Sequence, residues 1–170
     1  MTITEFFTAQ LEREATATRR VLERVPEGRN DWRPHEKSQP LGYLAALVAV
    51  LPSWIEMMVQ TEAAEMTELK STKYHPQPAA TSAELLATLE RATAAARAAL
   101  AGADDARLAK PWRLLVGGHA VSEQPRLEAI ADGVLSHLSH HRGQLTVYLR
   151  LLDAKVPGIF GPSADDNDFG

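Results

Sequence analysis

The chain has 170 residues, a formal net charge of −4, 45% hydrophobic and 6% aromatic residues, and no cysteine. Without cysteine it has no disulfide, thiolate ligand or cysteine nucleophile, and its interleaved charges, with no basic block, argue against a nucleic-acid partner. Abundant alanine with few aromatics favours helices over strands.

The start, Met1 to Glu5, lacks a basic region followed by an apolar run, so no signal peptide is expected. Thr2 and Glu5 have capping-box spacing. Phe7, Leu11, Ala15, Thr18, Leu22 and Val25 recur at helical spacing, which predicts a first helix from about Ile3 to Val25. Pro26 to Gly28 stop it, and a polar loop runs to Gln39. A second helix starts near Pro40, with Leu41, Leu44, Leu47 or Val48, and Leu51 on its apolar stripe. Pro52 removes a backbone donor and should kink or break it before Trp54 to Val59. This stretch comes closest to a membrane span, but Pro52, Ser53 and Glu56 interrupt it. No membrane partner and a cytoplasmic location are expected.

Thr67 to Ala80 reads as a connection. Thr81 and Glu84 repeat the capping-box spacing and open a third helix to about Ala101, stopped by Gly102. Two short apolar runs flank Gly117-Gly118, which suits a two-residue hairpin turn or else a loop. A fourth helix runs from about Pro125 to Leu152, with Leu127, Ile130, Val134, Leu138, Leu145 and Leu149 on its stripe. The expected fold class is all-α, a four-helix bundle over 1–153 with a short hairpin or loop before the last helix and an extended tail over 154–170.

His137 and His141 lie four residues apart on the last helix, so they share one face. The apolar stripe passes through both, which points the pair inward; His140 lies off that line. Two imidazoles one turn apart can chelate one divalent ion. Two core histidines bonded to polar neighbours fit the same spacing. Glu62, Glu65 and Glu68 read as a solvated acidic face, and Trp32, Trp54 and Trp112 as packing anchors. Met57 and Met58 also read as packing. Gly117-Gly118-His119 lacks a phosphate-loop pattern.

His137-x-x-x-His141-Arg142-Gly143-Gln144-Leu145, with Tyr148 and the run Val156 to Asp165, resembles the DinB superfamily. Asp31 to His35, Leu41 to Ala45, Leu51 to Trp54, and Trp112 to Leu114 with Gly117-Gly118 resemble its other segments in the same order. The resemblance implies a four-helix bundle, often a homodimer, with a divalent metal (zinc or nickel) held by one histidine of the second helix and two of the last. It also implies, for some members, thiol-dependent transfer or isomerisation on small substrates. His137 and His141 match the last-helix ligands. Leu47 stands where the second-helix histidine is expected, and leucine has no lone pair to give.

His119, Glu14 and Glu56 are the candidates to replace it. Two readings follow. One is a degenerate metal site serving a thiol transferase or hydrolase. The other is a metal-free small-molecule binding module or structural dimer, its site made drier by Leu47, with neutral histidines as hydrogen-bond partners.

Overall fold

The structure is a computed structural model that describes residues 1–167; the last three residues of the expected tail lie outside the described residues. Helix α1, Ile3–Leu22, and helix α4, Ser82–Ala101, each begin at a capping box, Thr2 with Glu5 and Thr81 with Glu84. In each box the threonine oxygen and the glutamate carboxylate satisfy N–H groups that the first helical turn leaves open. Helix α2, Leu41–Val50, ends just before Pro52, and α3, Ser53–Gln60, continues at a bend of 51°. The proline sits in the gap because its ring and missing N–H break the ladder there.

Gly102 closes α4, and Asp104 caps a short α5, Asp105–Ala109, by accepting from the Arg107 N–H. Helix α6, Arg126–Ile130, runs through a π-helical segment, Ala131–Ser136, into α7, His137–Leu151. Among the described residues no single helix is long and apolar enough to cross a membrane.

The hairpin forms at the expected place. Strand β2, Pro111–Val116, pairs antiparallel with β3, His119–Pro125, across Gly117 and Gly118 at φ 58° and 79°. Both turn residues need positive φ, which glycine adopts without strain. The hairpin is not an appendage, however. Strand β1, Ala63–Glu65, joins β2 in parallel, Ala63 opposite Arg113, giving a three-stranded mixed sheet in the order β1-β2-β3.

The all-α four-helix assignment is therefore wrong. The described residues are 55% helical with a mixed sheet, and they form six α-helical rods when the continuous last one counts once. The physical reasons are local. Pro52 divides one expected helix into two, and Asp104 starts an extra one. Ala63 and Ala64 have no strand propensity of their own. They are drawn to the β2 edge by backbone pairing, and Glu65 anchors the turn by accepting from the Gly117 and Gly118 N–H groups at 3.1 and 2.9 Å.

Two apolar clusters fill the interior. One gathers Val21, Leu22, α2, Leu85, Leu89 and, from α7, Leu138, Leu145 and Leu149. The other gathers Phe7, Leu11, α3, Leu100, Leu108, Trp112, Ile130 and Val134. Trp54 packs against both. The tail is docked where it is described: Asp165 pairs with Arg150 at 2.5 Å, Asp166 with Arg20 at 2.6 Å, and Pro157 and Gly158 are buried.

Candidate functional site

His137 is the first residue of α7, directly after the π-helical turn, and His141 follows one turn later. Both are half-buried, while His140 is exposed, as its place off the apolar stripe implies. A π turn shifts the side-chain register of a helix and often marks a functional site. Here it places the Gly133 carbonyl 3.3 Å from His137 Nδ1. Gly133 also keeps this segment close to α3, since a Cβ there would meet the Met58 terminal methyl at 3.2 Å.

The proton positions follow from the partners. A carbonyl only accepts, so His137 Nδ1 carries the hydrogen it donates to Gly133. His141 Nδ1 lies 2.8 Å from Gln144 Oε1, and Gln144 Nε2 lies 3.0 Å from His140 Nε2; turning the amide over exchanges donor and acceptor at both contacts. The two Nε2 atoms face each other at 2.8 Å: with the amide one way round both present lone pairs, and with it turned over His141 carries its hydrogen on Nε2 and donates it to His137. Two lone pairs at that distance repel unless a cation lies between them. A shared proton or a metal ion meets that need. Burial, and then the neighbouring His141, hold His137 below the usual histidine range, which works against a proton there.

The pair offers two nitrogens to a metal ion. Each ring is oriented through its far nitrogen by a carbonyl oxygen, the arrangement usual behind metal-bound histidines. With metal–nitrogen bonds of about 2.0–2.1 Å, nitrogens 2.8 Å apart subtend nearly a right angle at a shared ion, tighter than a tetrahedral site wants. The three-histidine centre does not fit. Leu47, 7% exposed, lines the same cavity as His137 and His141. Among the described residues no group of three histidine, aspartate or glutamate side chains is placed to hold a metal.

None of the proposed substitutes joins the pair. Glu14 does turn inward, but onto the buried Arg142 guanidinium at 2.6 Å. Glu56 pairs with Lys73 at 2.7 Å. His119 sits exposed on β3 beside the hairpin turn.

Two cavities meet at His137. One, of about 380 Å³, reaches from Trp54 and the π segment to the sheet residues Trp112, Leu114 and Ser122. The other, of about 290 Å³, holds Leu47, His141, Tyr43, Lys70 and His75. Trp54, Met66, Leu69 and His137 line both. Trp54 tilts against the His137 ring at 5.6 Å and anchors itself by donating to the Tyr74 carbonyl at 2.9 Å.

Sequence reasoning missed most of the second cavity. Lys70, Tyr74 and His75 lie in the segment read as a connection, which has no periodicity to show which way a side chain turns. It also missed two buried arginines. Arg126 is fully buried and donates to the carbonyls of Met58, Thr61, Lys110 and Pro111 and to the Glu62 carboxylate. Arg142, next to His141, bonds the Glu14 carbonyl and the Thr18 hydroxyl, both at 3.2 Å, and so fixes α7 to α1. The acidic run is likewise more than a solvated face. Hydrogen bonds from Arg126 and then Arg107 lower the Glu62 carboxyl to about 2, and backbone N–H groups, that of Gly118 first, lower Glu65 to about 2.

The DinB family model matches residues 2–167. A crystal structure of a DinB-like protein from Bacillus cereus superposes with a TM-score of 0.67 over 91% of this chain and 96% of that one, at 20% identity, a likeness that speaks for the fold alone. A 33-residue stretch is 46% identical to the uncharacterized protein YrdA of Bacillus subtilis; it covers 19% of this chain and spans only 20% of that protein's length.

Proposed function

The chain belongs to the DinB family, and from that premise we propose that it is a small-molecule-binding member in which His137 and His141 hold one divalent ion, zinc or nickel, by two nitrogens. The observation that carries this is the two Nε2 atoms turned on each other at 2.8 Å, with each ring held from behind at its Nδ1 by a carbonyl oxygen. Two protein ligands leave most of the coordination to water and to a ligand in the cleft. Such a site binds its ion weakly alone and more firmly when the ligand adds a donor.

Bound there, a divalent ion lowers the pKa of water or of a thiol and so supplies a nucleophile for hydrolysis or thiol transfer. A thiol would come from the substrate, because the chain has no cysteine. The protein's own part is positional. Gly133 and Gln144 fix the ring orientations, Trp54 braces His137, and Leu47 keeps one side of the pair dry.

A metal-free binding module or structural dimer is the second reading. Leu47 favours it, because it removes a ligand and adds apolar surface. Both histidines would then be neutral, one donating its Nε2 hydrogen to the other.

Calorimetric titration of chelator-treated protein with nickel and with zinc separates the two. The first reading expects one equivalent bound, and the His137→Ala, His141→Ala double variant should lose that binding. Equal binding by parent and double variant would remove the metal from the account and leave the second reading.

A further inference from the structure

The two lobes that meet at His137 differ in chemistry. The larger is walled by Met57, Met58, Met66, Trp112 and Leu114, with Asp132 its one acidic lining residue. Methionine is unbranched and polarizable, so it moulds to irregular apolar bodies and makes favourable contacts with aromatic rings. The smaller lobe has no aspartate or glutamate at all; Lys70, His75 and Tyr43 line it beside the histidine pair. This is a local reversal in a chain of net charge −4. Several other surface cations are matched, Lys73 by Glu56, Arg97 by Glu12 and Arg150 by Asp165. Lys70 and the His75 ring make no ion pair or side-chain hydrogen bond among the described residues. Because Trp54, Met66, Leu69 and His137 line both lobes, one molecule can lie across them. Volumes of about 380 and 290 Å³ are of the size that small-molecule sites have.

We propose that the cleft takes a small organic carboxylate with a compact apolar or aromatic body, the body in the methionine-lined lobe and the carboxylate towards Lys70 and His75. This deepens the reading of the cleft as the binding site but does not require the ion. A carboxylate in the smaller lobe finds a cation and the His75 ring, no acidic residue lines that lobe, and the Glu56 carboxylate behind Tyr74 is paired with Lys73. An alcohol of the same shape forfeits the charge, and an amine meets like charge.

The test is calorimetry on the full chain, treated with chelator, using phenylbutanoate, phenylbutanol and phenylbutylamine. The acid should bind about tenfold more tightly than the alcohol, and the amine most weakly. Lys70→Glu should weaken the acid about five- to tenfold and leave the alcohol unchanged, the size expected of an exposed ion pair whose sign is reversed. Ser122→Trp, which fills the apolar lobe from β3, should weaken acid and alcohol together. Helical circular dichroism checks that each variant is folded. Equal affinity for all three compounds, no saturable binding of the acid, or an unchanged acid affinity in a folded Lys70→Glu variant would overturn the proposal. Acid binding by a protein that takes up no nickel would refute the ion alone. Nickel uptake without acid binding would refute the carboxylate alone.

Discussion

At the end of the molecule where α2 meets α7, Leu41, Leu44, Leu138, Leu145 and Leu149 pack against Val21, Leu22 and Leu89, and every one of them is at most 2% exposed. At the opposite end the centre is a buried cation. All five donor hydrogens of Arg126 are taken up, by carbonyls from α3, the residue after it and the start of β2, and by Glu62. The first end is held by apolar burial, which is non-directional and tolerant. The second is held by directional hydrogen bonds from one guanidinium to four carbonyls and a carboxylate, of which Thr61 and Glu62 are shared with Arg107. The histidine pair lies at the seam, on the first helical turn after the π segment.

The largest effect is expected at Arg126. Arg126→Met should cost about 3–5 kcal/mol, because it removes a buried donor from the carbonyls of Met58, Thr61, Lys110 and Pro111 and leaves the Glu62 carboxylate to Arg107 alone. Leu145→Ala at the helical end should cost about 3 kcal/mol through lost transfer energy and a cavity. Urea unfolding gives both values. Hydrogen exchange separates them further: the arginine variant should lose protection in β1 and β2 first, and the leucine variant should lose it globally. An Arg126→Met variant milder than Leu145→Ala, with its sheet protected, would break the contrast.

Acid sharpens the same contrast with a smaller effect. Glu62 and Glu65 have carboxyls at about 2 in the folded chain, below the ordinary 4.5. Their contribution is therefore complete above about 4.5 and drains away as pH falls towards 2. Both are solvent-accessible, so salt screening reduces it. Amide protection at the Gly117-Gly118 turn should fall across that window while protection in α2 holds. Parallel loss at both ends would mean that these carboxylates do not fasten the sheet.

The same division decides what could be read from the sequence. Leu11, Leu44, Leu89 and Leu145 announce their faces by spacing, and Thr2, Thr81 and Gly117-Gly118 announce ends and a turn by local chemistry. The helices and the hairpin were legible for that reason. Ala63 and Ala64 carry no strand signal, and the Arg126 acceptors lie up to 68 residues away in the chain, so the sheet and its fastening were not. The site divides in the same way. His137 and His141 were found by their spacing, and Leu47 does line their cavity. His75 and Lys70 were missed because their segment has no period, and Gly133 because a π turn leaves no mark in the pattern.

The proposed site keeps two histidine nitrogens, and Leu47 fills its third place. Nickel calorimetry on Leu47→His tests it most directly. A third imidazole beside the pair should tighten nickel binding at least about tenfold over the parent, with the gain abolished by His137→Ala. A folded Leu47→His variant that binds nickel no better than the parent would contradict the placement of Leu47 and, with it, the site.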